Sequence, residues 1–285
     1  MELKEFYTAK NPNTPPETLA ELAKNESLDI RKAVAGNPNT PPEILTKLTK
    51  SEGWGVRMAV AKNPNTPPET LAELSKDEDV CMAVANNPNT PPETLAELAK
   101  DEIWVSRMVI AKNPNTPPET LAELAKSEGW EVRIAVAENS NTSPETLAEL
   151  TKDKDKDVCI AAVKNPNTPP ETLAELVKDK SWVSRMAVAG NPNTPPEILT
   201  ELAKDEELYV RTEATENPNY ITLVKEVEIA SLSNLLDEDE SDVNEDTIPH
   251  VHKEPEELSA EKQDANRVES ESKHNISSVD DDYVR

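Results

Sequence analysis

"NPNTPPETLAEL", residues 11–22, decides the reading of this chain, because the same letters return unchanged from Asn63, Asn87, Asn113 and Asn165. Altered copies start at Asn37, Asn139 and Asn191, and a worn one at Asn217. Within the stretch Thr14 precedes Glu17 by three residues, the spacing of a capping box. In that motif the Thr hydroxyl accepts a bond from a first-turn N–H and the carboxylate reaches back to the Thr N–H. Pro15 then reads as the first helical residue, where a missing donor is harmless. Leu19 and Leu22 follow on one side of the helix. The second half of a unit runs "VRMAVAKNP" from Val56 to Pro64, with Val56, Ala59 and Val60 on one helical face. The next Asn-Pro ends that helix, because proline disfavours the α conformation in the residue before it.

Successive starts lie 26 residues apart, with one step of 24, so eight units fill residues 11–216. A period in this range is the mark of stacked repeats. Helices this short are marginal alone in water. The Leu pair of one segment must therefore pack on the Val and Ala stripe of its own and the adjacent unit, and small Ala59, Ala83 and Ala135 allow close approach. The expected fold is an all-α helical-repeat solenoid without a sheet. At ordinary helix spacing, eight units would span on the order of 70 Å. Residues 1–10, with Phe6 and Tyr7, read as an N-terminal half-unit cap, and residues 217–230, where Tyr220 replaces the capping Thr, as a C-terminal one. "SEGW", "DVC" and "WVSRM" each recur 76 to 78 residues apart, the trace of a copied three-unit block.

Composition narrows the function. Hydrophobic residues make up 35% and aromatics 3%, too few for one large globular core but enough for a thin continuous one. With 56 acidic against 30 basic residues the chain carries a formal charge of −26, which repels phosphate backbones and anionic membranes. The first ten residues hold no apolar run suited to a signal sequence, and nothing later resembles a membrane span, so a cytoplasmic location is expected. Cys81 and Cys159, in equivalent positions of remote units, are expected as free thiols. From Ser231 the period ends. Residues 231–285 contain 17 acidic and 5 basic residues and every histidine, His250, His252 and His274, which is the composition of a disordered acidic tail.

The order Val56-Arg57, Ala59-Val60-Ala61, Asn63-Pro64, Thr66-Pro67 and Leu71 with Leu74 resembles the leucine-rich repeat variant family, over residues 5 to 218. The resemblance implies a right-handed superhelix of alternating α and 3₁₀ helices. It leaves open which half of a unit is 3₁₀. Some relatives carry an N-terminal cysteine-rich domain holding an iron–sulphur cluster; this sequence has no matching cysteines, so that role is not carried over. The resemblance implies no catalytic residue.

Trp54, Trp104, Trp130 and Trp182 share one register, nine residues before the next Asn, and form the candidate partner-binding row. Aromatics on a common edge resemble the anchors of protein interfaces; the competing structural reading makes each Trp a lid over the gap between units. Arg31, Arg57, Arg107, Arg133, Arg185 and Arg211 recur six residues before Asn, with Cys81 and Cys159 in their place in two units. They read either as ties to neighbouring acids or as a stripe for an anionic partner. The Asn residues of each turn are expected to bond its backbone. No metal site is expected: the cysteines lack paired ligands, and "DKDKD" from Asp153 and "DEDESD" from Asp237 lack the Gly and Glu of a calcium loop. With no histidine in the array and five glycines in the whole chain, no catalytic triad or phosphate loop can be drawn. The sequence thus predicts a non-enzymatic scaffold, without cofactor, that binds another protein. The alternatives are a nucleic-acid-associated or DNA-mimicking repeat protein, or an accessory subunit of an enzyme complex.

Overall fold

The computed structural model describes residues 2–100 and 103–241. Each unit contributes two helices. The first members are α2 (Pro16–Leu22), α4 (Pro42–Leu48), α6 (Pro68–Leu74), α8 (Pro92–Leu98), α10 (Pro118–Leu124), α12 (Pro144–Leu150), α14 (Pro170–Leu176) and α16 (Pro196–Leu202). The second members are α3 (Leu28–Ala35), α5 (Trp54–Lys62), α7 (Cys81–Ala85), α9 (Trp104–Lys112), α11 (Trp130–Glu138), α13 (Lys156–Lys164), α15 (Trp182–Gly190) and α17 (Leu208–Glu216). Helix α1 (Glu2–Lys10) supplies a half-unit before them, and α18 (Pro218–Ser241) follows. No strand occurs among the described residues. The chain divides inside α18 into Met1–Ile229, which holds the array, and Ala230–Arg285. Helix α18 runs through the expected start of the aperiodic tail at Ser231. The rest of that tail, with its three histidines, lies outside the described residues.

The second members pack side by side along the array, and each first member packs onto the second members beside it. The core is where the sequence places it. Leu19, Leu45, Leu71, Leu95, Leu121, Leu147, Leu173 and Leu199 are fully buried, against Val34, Val60, Val84, Ile110, Val136 and Val188 of the second helices. Each such leucine contributes about 1.5–3 kcal/mol relative to exposure. Both halves of a unit are α-helical among the described residues. The 3₁₀ character implied by the resemblance is confined to end-closing bonds such as Asn37 N–H to Val34 O, 3.0 Å. Where the third unit is two residues shorter, the second helix gives up the length and α7 keeps only five residues.

The capping box is absent. Helix α2 starts at Pro16, its cap is Pro15 in extended geometry, and Thr14 lies one residue too early to serve. The buried Thr hydroxyl instead donates backwards, to the end of the preceding helix: Thr40 to Val34 O at 2.5 Å, and Thr116 to Ile110 O at 2.5 Å. It satisfies a carbonyl in a last turn, where helices leave acceptors free. Ser143 supports this assignment, because it replaces the first Pro of its pair and does cap α12, accepting from Thr146 N–H at 3.2 Å.

The turn asparagines do more than close their own turns. Asn37 Oδ1 accepts from Asn39 N–H at 2.9 Å, as a turn residue should. Its Nδ2 reaches one unit back, donating to Ala9 O at 2.7 Å and Asn11 O at 2.8 Å. The same pair of backward bonds is made by Asn63, Asn87, Asn113, Asn139, Asn165, Asn191 and Asn217. A second strand of the ladder joins Asn39 to Pro12 O and Asn65 to Pro38 O. Unit stacking is therefore fixed in register by buried amides as well as by apolar contact.

Candidate functional site

Each of the four tryptophans is the first residue of a second-member helix, at the head of α5, α9, α11 and α15. An extended residue precedes each one, such as Gly53 with φ −77° and ψ 111° or Ser181 with φ −79° and ψ 115°. Their exposures are 60% for Trp54, 48% for Trp104, 46% for Trp130 and 40% for Trp182, so each is part packed and part open to solvent.

The linkers that carry them are pinned by the arginine row. Arg57 Nη1 donates to Ser51 O at 2.9 Å and Glu52 O at 3.1 Å, just ahead of Trp54, while its Nε reaches Asp77 in the next linker at 2.5 Å. Arg133 grips its own linker at Ser127 O and Glu128 O and clamps Asp153 with two bonds, of 2.7 and 3.0 Å. Arg185 holds Asp205 in the same way, at 2.6 and 2.9 Å. Such paired bonds are strong and directional. Arg133 and Arg185 are buried, so these two guanidinium groups are consumed in the frame rather than offered to an anionic partner. The hydrogen bonds from Arg185 are the main reason the Asp205 carboxyl lies below the usual range. For Asp153 burial pulls the pKa upward, but the bond and charge of Arg133, with the Asp155 N–H, prevail and hold it low.

The row is longer than the tryptophans alone. Leu28 and Leu208 occupy the same register at the heads of α3 and α17, 47% and 61% exposed. Counting nine residues back from Asn37 and Asn217 finds them, but the search by residue type passed them over. Tyr209 stacks on Trp182, with ring centroids 5.8 Å apart and planes tilted by 31°. Leu28 reaches the next linker: a Cβ added to Gly53 would lie 2.7 Å from Leu28 Cδ2, so the glycine makes room for that contact.

Cys81 and Cys159 are half-buried thiols outside any disulfide, and the Cys81 thiol donates to Glu78 O at 3.3 Å. Cys159 takes part of the arginine's place, its thiol donating to Asp153 O at 3.0 Å, the equivalent of the carbonyl that Arg133 holds. Burial, with the nearby Asp153 charge, pushes its pKa up. Among the described residues no three His, Cys, Asp or Glu side chains are grouped to hold a metal ion, and no helix is long and apolar enough to cross a membrane. The "DKDKD" acids serve the fold instead: Asp153 binds Arg133, and Asp155 caps α13.

Two family models match the chain. The leucine rich repeat variant domain matches residues 5–62 and 55–100, and the leucine rich repeat variant matches residues 130–155 and 182–207; together they span more than half of it. Among solved structures, a leucine-rich repeat variant described as having a novel repetitive structural motif is 26% identical, with a TM-score of 0.50 over 70% of this chain and 81% of that one. An engineered protein is 16% identical, with a TM-score of 0.39 over 74% of this chain and 82% of its own. An archaeal HEAT-like repeats protein from Thermococcus onnurineus NA1 is 15% identical, with a TM-score of 0.23 over 75% and 89%. No curated protein matches the chain.

Proposed function

The chain belongs to the leucine-rich repeat variant family, and we propose that this helical-repeat scaffold is non-catalytic and captures a protein partner along the edge formed by the heads of its second-member helices. The observation that carries the reading is the row of half-exposed Trp54, Trp104, Trp130 and Trp182, extended by Leu28, Leu208 and Tyr209. Large apolar side chains held open to water on a rigid frame are the type of residue that dominates binding energy once covered. The formal charge of −26 favours a basic partner and speeds encounter with it.

The test compares pull-downs with the full chain and with Trp104→Ala/Trp130→Ala. Partners held by the native protein should be lost from the variant, while Tm falls by only a few degrees. A collapse in Tm would favour the lid role and refute the binding edge. A second reading, also motivated by the charge, has the acidic array occupying a protein surface that ordinarily holds nucleic acid. It predicts capture that disappears in high salt and is indifferent to the tryptophan changes.

A further inference from the structure

We infer that the groove between the sixth and seventh units is an arginine pocket, which receives a guanidinium from a basic protein partner at the place the array's own arginine leaves vacant at Cys159. The array itself defines what belongs there. Arg133 and Arg185 each lie between two linkers, donating to a carbonyl of their own and to an Asp carboxylate of the next. In the sixth unit Cys159 occupies that register. Its thiol satisfies the near carbonyl, Asp153 O, but is too short to cross to the following linker.

The far half of the clamp is still built. Asp179 stands in the register of Asp77, Asp153 and Asp205, and its Oδ1 accepts from Ser181 N–H at 2.7 Å, just as Asp205 accepts from Glu207 N–H. Among the described residues no Lys or Arg forms an ion pair with the Asp179 carboxylate, in contrast to Asp77, Asp153 and Asp205. A cavity of about 440 Å³ fills the space between Cys159 and Asp179. Leu176 and Val183 give it apolar walls for a methylene stem, and Asp157 and Lys156 also line it. The lining thus holds one ammonium, of Lys156, and two carboxylates, of Asp157 and Asp179. The thiol stays neutral, because burial raises its pKa.

A planar fork of donors suits a carbonyl and a carboxylate together, whereas a lysine ammonium offers one point of charge. Of the seven other units, six carry arginine at this position, the third carries Cys81, and none carries lysine. Ser181 and Val183 flank Trp182 in sequence and line the cavity, so an arginine seated here lies beside the aromatic edge. That the arginine comes from a protein rests on the scaffold reading; the pocket itself does not.

The experiment titrates the full chain with arginine amide, with citrulline amide as the neutral isostere, following backbone and side-chain NMR shifts. Saturable shifts confined to residues around Cys159, Asp179 and Ser181 are expected from arginine amide and none from citrulline amide. Cys159→Arg, which restores the residue used elsewhere in the array, should abolish them and raise Tm. Asp179→Asn keeps the turn acceptor, as Asn25 does toward Ser27 N–H, and should also abolish them with Tm little changed. Shifts scattered over the acidic surface, equal shifts with citrulline amide, or shifts that survive Cys159→Arg would overturn the pocket. Failure of the tryptophan variant to lose its partners would overturn the binding edge and leave this result untouched.

Discussion

Asn113 illustrates how much one side chain carries. Buried at 4% exposure, it donates to Ala85 O at 2.7 Å and Asn87 O at 2.9 Å and accepts from Asn115 N–H at 2.9 Å. Asn113→Ala removes both backward bonds and takes the amide partner from Ala85 O, while Asn87 O keeps the Thr90 N–H at 3.1 Å, so it should cost about 1–3 kcal/mol, measured by equilibrium denaturation; a loss under about 0.5 kcal/mol would show that the ladder is incidental. The sequence made the turn legible at this residue but not the ladder. An Asn two positions before another is recognisable as a turn acceptor, whereas the target of its amide lies 26 and 28 residues away and depends on how units stack. The misreading of Thr14 has a similar cause: Thr followed by Glu at three residues fits a capping box, and only the pair of prolines moves the helix start past it.

Between elements, the decisive contacts are the arginine clamps from α5, α11 and α15 to the next linker. Helix existence and order were readable from leucine spacing and from the Asn-Pro stops, because each unit states both locally. The tryptophan register was readable too, by counting from Asn. Its partial exposure was not, since that depends on neighbouring linkers, and the clamp acids fell among many other acidic residues. The Arg133–Asp153 and Arg185–Asp205 clamps have a pH signature. Both Asp pKa values are lowered in the folded state, so their stabilisation is present above the unfolded value, about 3.9, and is lost as pH falls through the lower folded values. Asp153→Asn/Asp205→Asn should therefore lower Tm at neutral pH, and the gap from the native protein should close in acid. A gap that persists unchanged at the lowest pH of a two-state melt would assign the loss to packing instead of charge.

At the scale of the whole molecule, the array is held by relations between neighbours: buried leucines, asparagine amides and arginine clamps that recur from unit to unit. Such an array should tolerate loss of a whole unit and fail on loss of half of one. Removing residues 113–138 brings Asn139 into the place of Asn113, facing Ala85 O and Asn87 O, and sets a complete unit against another. Removing 113–125 alone leaves two second-member helices in succession with no leucine helix between them. Circular dichroism melts of these two deletions test the claim most directly. The account predicts a cooperative helical melt for the 113–138 deletion, within several degrees of the native Tm, and loss of cooperative melting for the 113–125 deletion. Equal behaviour of the two, whether both fold or both fail, would contradict it.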